Sequence, residues 1–110
     1  MALITGNPRI YVIMDPEGKE IGQLQIRAEP GGHGEIALTL EPGARGRGYG
    51  TEALCEACRL AEEDPAIRRL VAHIRGDNPA SQKAFLKAGF TSGGEVLYHE
   101  LPCLEYIREV

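Results

Sequence analysis

The chain has 110 residues, a net charge of −4 and 25% charged residues. A chain of this length buries about 60–70% of its unfolded surface, enough for one core and not two. Its 43% hydrophobic content excludes intrinsic disorder, and no apolar run approaches the ~20 residues that span a bilayer. The acidic balance argues against non-specific nucleic-acid binding and favours cationic partners. Three cysteines, Cys55, Cys58 and Cys103, are too sparse and odd in number for a secreted disulfide framework. The opening residues Met1-Ala2-Leu3-Ile4-Thr5-Gly6 show no basic region followed by a long apolar stretch. A cytoplasmic protein is expected.

Ile10-Tyr11-Val12-Ile13-Met14 is a β-branched run closed by Asp15-Pro16-Glu17-Gly18, whose proline and glycine have turn chemistry. Gly22, Leu24 and Ile26 then alternate with Gln23, Gln25 and Arg27, so the two runs predict an antiparallel hairpin. Pro30 to Gly34 reads as a loop, and Glu35 to Leu40 as a third strand stopped by Pro42-Gly43. From Gly48 to Glu63 the period becomes helical, with Leu54, Ala57, Cys58 and Ala61 on one face. Leu70 to Ile74 is a short apolar strand, expected to be central and parallel to the third because a helix crosses between them. Asn78-Pro79 has the form of an N-cap with proline at the first helical position. The helix it starts turns Ala84, Phe85 and Ala88 inward and Lys83 and Lys87 outward, and Gly89-Phe90 closes it. Glu95 to His99 and Cys103 to Arg108 predict a last strand pair around Leu101-Pro102. The expected order is βββαβαββ, one α/β domain over residues 1–110 with a mixed sheet.

The most informative segment is Pro42-Gly43-Ala44-Arg45-Gly46-Arg47-Gly48-Tyr49-Gly50-Thr51, which joins a strand to a helix. Its glycines let backbone approach a ligand closely, and successive N–H groups at a helix N-terminus form an anion site. Arg45 and Arg47 add positive charge and Thr51 a hydroxyl, a set that suits a pyrophosphate. A P-loop would need a lysine where Gly50-Thr51-Glu52 has none. A dinucleotide fingerprint would need G-x-G-x-x-G, whereas Gly46, Gly48 and Gly50 alternate. An Arg-Gly RNA-binding segment would stand alone in an acidic chain without an aromatic platform. A glycine-rich turn that binds nothing is the bland reading.

Arg45-x-x-Gly48-x-Gly50, after a strand and opening a helix, resembles the acetyl-CoA motif (Arg/Gln-x-x-Gly-x-Gly/Ala) of the GNAT N-acetyltransferases. A strand followed by Asn78-x-x-Ser81, Phe85 and Gly89-Phe90 is similar to the second motif of that family. Arg75 to Ser81 looks most like the ribosomal-protein N-terminal acetyltransferases. Asn78 through Gly93-Gly94-Glu95 to Leu104 resembles the aminoglycoside 6′-N-acetyltransferases. The likeness runs from about Gly22 to the C-terminus.

The resemblance implies an acetyl transfer from acetyl-CoA to a primary amine, on a protein or peptide or on a small polyamine or aminoglycoside, with no metal. It implies that Glu35–Leu40 and Leu70–Ile74 splay apart to admit the pantetheine arm, held by the backbone of Leu38 and Leu40. Arg45, Gly46, Arg47, Gly48, Tyr49, Gly50 and Thr51 would cradle the pyrophosphate, Asn78 would contact the pantetheine, and Phe85 would line the thiol end. Direct attack needs a base for the ammonium and an acid for the departing thiolate. His73, five residues before Asn78, lies where some family members carry an acidic base, and it titrates in a useful range. Glu35 lies near another position where members carry a glutamate base. Each also has a plainer reading, as a mid-strand histidine and a solvated strand-end carboxylate.

Two departures stand beside the resemblance. Phe85 occupies a position where many members have a tyrosine acid, which leaves Ser81, Tyr98 and Tyr106 as the alternatives. The family usually begins with a strand and two helices that wall the acceptor pocket, and Met1 to Arg9 cannot supply them. An open acceptor site or a homodimer follows from that expectation, as does the rival reading of a non-catalytic acyl-CoA-binding module. Cys55-x-x-Cys58 lies inside a helix and reads as packing rather than a redox or zinc pair. Glu95, Glu100, Glu105 and Glu109 border the region where the family binds its acceptor and suit a cationic amine. Glu62-Glu63-Asp64 opposes the helix macrodipole, without an evident reason in the sequence.

Overall fold

Alternating residues along the strands decide which face of the sheet the helices cover. The computed structural model describes residues 2–3 and 7–110. The strands are β1 (Ala2–Leu3), β2 (Arg9–Met14), β3 (Glu20–Glu29), β4 (His33–Leu40), β5 (Arg69–Arg75), β6 (Thr91–Tyr98) and β7 (Leu101–Glu109). Helix α1 (Tyr49–Glu62) connects β4 to β5, and α2 (Pro79–Lys87) connects β5 to β6. All seven strands form one mixed sheet, ordered β1-β2-β3-β4-β5-β7-β6. Among the described residues only the β4–β5 pair is parallel.

The expected order βββαβαββ holds from Arg9 onward. Ahead of it Ala2 and Leu3 pair with Val12 and Tyr11, a strand of two residues and therefore too short to show alternation in the sequence. Leu24, Ile26, Ile36, Leu70 and Ala72 point to one face and are almost wholly buried. Leu54, Ala57, Cys58 and Ala61 of α1 close over that face in the same cluster. Phe85 of α2 joins it, edge-on to Phe90 at 4.9 Å between ring centres. The opposite face carries Gln25, Glu35, Val71, His73 and Glu105, all half-buried. Neither helix lies on it.

Two local expectations are corrected. The final hairpin turns at His99-Glu100, at φ 50 and 67, while Leu101 and Pro102 already belong to β7 and pair with Tyr98 and Leu97. The ladder to β5 ends at Arg75↔Cys103, so Pro102 stands where β7 has run past one neighbour and behaves as an edge. In the loop read at Pro30 to Gly34, His33 and Gly34 already belong to β4. The acidic run after α1 finds its reason in Asp64. Its carboxylate accepts from the Ala66 N–H at 2.9 Å and pairs with Arg9 of β2, fastening the helix end to the sheet. The Ala66 amide first, and the Arg9 guanidinium with it, hold the Asp64 carboxyl below the usual carboxylate range despite some desolvation.

Neither residue of the His99-Glu100 turn is the glycine or asparagine that two successive positive φ values favour. Replacing them together, His99→Asn with Glu100→Gly, is expected to stabilise the fold by about 1–2 kcal/mol. A urea denaturation midpoint that rises at constant m-value is the expected reading, and an unchanged midpoint contradicts it.

Candidate functional site

Strands β4 and β5 pair at only three positions, His33↔Arg69, Gly34↔Leu70 and Glu35↔Val71. Beyond them β4 stays registered to β3 as far as Gly22↔Leu40, and β5 stays registered to β7 as far as Arg75↔Cys103. Each strand is thus held by its outer neighbour while the two part from one another. The backbone between residues 36–40 and 72–75 faces a gap with hydrogen-bonding groups that no strand satisfies, the situation in which an extended ligand adds as a strand.

Toward the helices this gap widens into a cleft of about 640 Å³. Leu38, Thr39 and Leu40 form one wall, the start of α1 forms its end, and Asn78, Ser81 and Ala84 stand opposite. The turn into α1 is set by Pro42–Ala44, a single 3-10 turn, after which the Arg45 Nε donates to the Leu40 carbonyl at 3.2 Å. Gly46 and Gly48 follow at φ 75 and 85. A Cβ at either would meet nothing within 4 Å, so backbone conformation rather than space calls for glycine there. Gly48 is the N-cap of α1 and brings no capping side chain. The first intrahelical bond runs from the Glu52 N–H to the Gly48 carbonyl at 3.0 Å, which leaves the N–H groups of Tyr49, Gly50 and Thr51 without a partner among the described residues, at the positive end of the helix dipole. Gly50 lets the helix sit against β4: a Cβ there would lie 3.3 Å from both Leu38 Cδ2 and Leu40 Cδ1.

The structure brings Leu38, Leu40, Arg45, Gly46, Gly48, Gly50, Thr51, Asn78 and Ser81 to this cleft. Asn78 caps α2, its Oδ1 accepting from the Ser81 N–H at 3.2 Å. Arg47 and Tyr49 instead face a neighbouring hollow of about 310 Å³ beside Asp15 and Lys19. Phe85 is 2% exposed and lies in the core, because it shares the buried stripe of α2 with Ala88, and Ala84 takes the cleft-side place. Lys83 and Lys87, read from the sequence as pointing outward, also line the cleft. Their i,i+4 spacing on the helix that Asn78 starts was the available signal. Arg45, Lys83 and Lys87 make no ion pair among the described residues.

His73 and Glu35 lie on the other face of the sheet, beside the point where β4 and β5 part. The His73 ring stacks on Tyr98, 4.2 Å between centres and 11° from parallel. The Tyr98 hydroxyl donates to the Glu35 carboxylate. His73 Nε2 is 3.4 Å from Glu105 Oε2, and His73 Nδ1 is buried without a partner among the described residues. The bond to Glu35, with partial burial and the charge of the same carboxylate, pushes the Tyr98 phenol up to about 12. Tyr106 is 3% exposed on the helix side, its hydroxyl 3.5 Å from Gln82 Oε1. Cys58 is buried in the core and Cys55 exposed, both as free thiols, and burial pushes the Cys58 thiol up.

A family model described as the Acetyltransferase (GNAT) domain matches residues 3–91. The chain belongs to the GNAT acetyltransferase family. Over 60 residues it is 40% identical to YwnH of Bacillus subtilis (strain 168), which carries the name of a phosphinothricin acetyltransferase. That stretch is 54% of this chain and 36% of the relative. The aminoglycoside acetyltransferase AAC(6′)-Ib, in complex with coenzyme A and kanamycin, superposes with a TM-score of 0.82 at 22% identity, over 92% of this chain and 66% of that one. The spermidine N-acetyltransferase SpeG from Vibrio cholerae superposes with a TM-score of 0.77 at 15% identity, over 92% and 64%. At these identities the likeness is one of fold, and the chain spans less than two thirds of the length of each. Among the described residues no helix is long and apolar enough to cross a membrane.

The Tyr98–Glu35 bond makes a titration prediction. An unfolded chain loses the phenol proton near pH ~10, whereas the folded one keeps it to about 12. The stabilisation is therefore complete below pH ~10 and lost as pH rises through 12. Ultraviolet titration should show a late-ionising tyrosine that disappears in Tyr98→Phe, and Glu35→Gln should bring it back toward the ordinary value. A titration in which neither substitution changes the late phase would contradict the bond.

Proposed function

We propose that this chain is an acetyl-CoA-dependent N-acetyltransferase that moves the acetyl group to a primary amine by direct attack. The observation that carries the reading is the parting of β4 and β5 after three pairs, with a positively charged glycine turn at the end of the resulting cleft. The pyrophosphate sits on the free N–H groups of α1 beside Arg45, where backbone dipoles and a cation converge. The pantetheine arm lies in the gap and bonds to the backbone of Leu38 and Leu40 as an added strand. Asn78 contacts its amide, and the Ser81 hydroxyl, on the same wall, hydrogen-bonds the departing thiolate. His73 takes the proton from the ammonium on the far face, and Glu35 contributes negative charge there.

The acceptor is a cationic amine. Glu35, Glu105 and the phenol of Tyr98 surround His73 with negative charge and lone pairs, which attract an ammonium and steer its approach. The complex of AAC(6′)-Ib with kanamycin and the name of the spermidine enzyme fit that charge. A peptide amine fits it also, and turnover distinguishes them.

Calorimetric titration with acetyl-CoA and with CoA should give micromolar binding, a free energy of about −8 kcal/mol. Arg45→Glu combined with Gly48→Glu should weaken it at least tenfold, because both changes place negative charge against the pyrophosphate. Thiol release with spermidine, kanamycin and a peptide amine then tests transfer. A folded wild type that does not bind CoA overturns the reading; one that binds CoA but acetylates none of these amines points to the acyl-CoA-binding module instead.

A further inference from the structure

We infer that Glu105 is a positioning residue that fixes His73 with its Nδ1 lone pair free, ready for the proton of the incoming ammonium. The inference rests on the acetyl-transfer reading above and adds to it a group on β7. His73 and Glu105 are directly opposite in the antiparallel β5–β7 ladder, so their side chains leave the sheet together on the face the helices do not cover. Nε2 and Oε2 are 3.4 Å apart, with side-chain exposures of 16% and 27%. A carboxylate only accepts hydrogen bonds. At that separation the pair is electrostatic rather than a formed hydrogen bond, and the carboxylate charge favours the neutral tautomer with its hydrogen on Nε2, which leaves Nδ1 as the lone pair.

Two further features serve this one arrangement. On the other side of β7, strand β6 shifts register between Ser92 and Gly94, and Gly93 occupies the extra position. A Cβ on Gly93 would lie 3.2 Å from Glu105 Oε1, tighter than ordinary packing, so the bulge clears the space in which the carboxylate lies. Bulges of this kind re-aim side chains beside functional sites. On the open side, Tyr98 stacks on the imidazole and is itself tied to Glu35, which fixes the plane of the ring. Other charged or titratable groups near this cluster are Arg27, opposite Glu35 on β3, and Glu29 opposite His33 on the same face, Glu29 being close enough for its charge to act on Tyr98, together with Arg75 farther along β5 and His99, edge-on to Tyr98.

The observation that asks for a ligand is the buried Nδ1 with no partner among the described residues. An unsatisfied buried acceptor is costly and calls for a cause. The gap beyond Glu35↔Val71 opens alongside residues 72–75, the stretch of β5 that holds His73. The acceptor supplies the missing donor. One ammonium proton passes to Nδ1, and the imidazolium is stabilised by Glu105. The freed amine lone pair forms the C–N bond at the thioester carbonyl. Collapse of the tetrahedral adduct breaks the C–S bond, the thiolate takes a second proton from the former amine, and His73 returns the first to water.

The test uses Glu105→Gln, with Gly93→Ala as a second route to the same carboxylate; Gly93 has no positive φ, so alanine is tolerated by its backbone. Ring ¹⁵N shifts of His73 in the free protein report the tautomer whether or not any amine has been found to react. The wild type should show hydrogen on Nε2, and both variants should lose that preference while still binding CoA. With a reacting amine, Glu105→Gln should lower kcat by roughly 10–100-fold, below the loss expected for removing a whole general base, with KM for acetyl-CoA unchanged. Glu105→Asp should recover part of it. A His73 tautomer unmoved by Glu105→Gln, or an unchanged kcat in that variant, overturns the inference. A wild type inactive toward every amine overturns the transferase reading while the tautomer still decides the role of Glu105.

Discussion

The site depends on one constraint: β4 and β5 cannot follow one another because each is committed to a different partner. Eight cross-strand positions tie β4 to β3 and seven tie β5 to β7, against three between β4 and β5. Backbone hydrogen bonds in a ladder act together, so the weaker seam opens where the sheet's twist pulls the two halves apart. An opened parallel seam is normally an aggregation risk, since its unpaired groups can template another strand. Here α1 and α2 flank the helix side of the seam, where it opens into a cleft lined by both helices. The same interruption that weakens the sheet supplies a ready set of donors and acceptors.

The anion end of the cleft follows from how the chain leaves β4. A strand that must turn into a helix within a few residues needs left-handed positions, and Gly46 and Gly48 occupy them. Because the cap is glycine rather than serine or aspartate, no side chain occupies the free N–H groups of the first turn. A conventional cap would strengthen α1 and close the anion site at once. Arg45, bound to the Leu40 carbonyl, couples the turn to the strand that lines the gap, so the proposed pyrophosphate and pantetheine sites share one piece of backbone.

What the sequence showed and hid follows from range. Alternation in Gly22–Arg27 and the 3.6-residue period of Leu54, Ala57, Cys58 and Ala61 are local, and both elements appear where these patterns place them. The Arg45-to-Gly50 turn is legible for the same reason. Which way Arg47 and Tyr49 face, and that Phe85 is core while Ala84 is wall, depend on how helices rotate against the sheet, which no local pattern contains. The turn at His99-Glu100 carries residues that two positive φ values disfavour, so the sequence drew attention to Pro102 instead. Glu105 could be placed in an acidic stretch near the acceptor, but its neighbour His73 lies thirty-two residues away in sequence and meets it only through the β5–β7 register.

That register also places the groups proposed to react and the groups proposed to hold the cofactor on opposite faces of one sheet. A ligand lying in a gap between two strands touches both faces, as a strand does. Its proposed anionic end would meet a helix N-terminus together with cations on the helix side, where Arg45, Lys83 and Lys87 gather. Its reactive end needs a base and negative charge, which would be costly to bury in the helix-side core. Placing His73, Glu35 and Glu105 on the uncovered face keeps each of them only partly desolvated, while stacking by Tyr98 still restricts the ring. On the proposed reading the sheet separates the two charge requirements, and the interruption between β4 and β5 is where a single molecule would meet both.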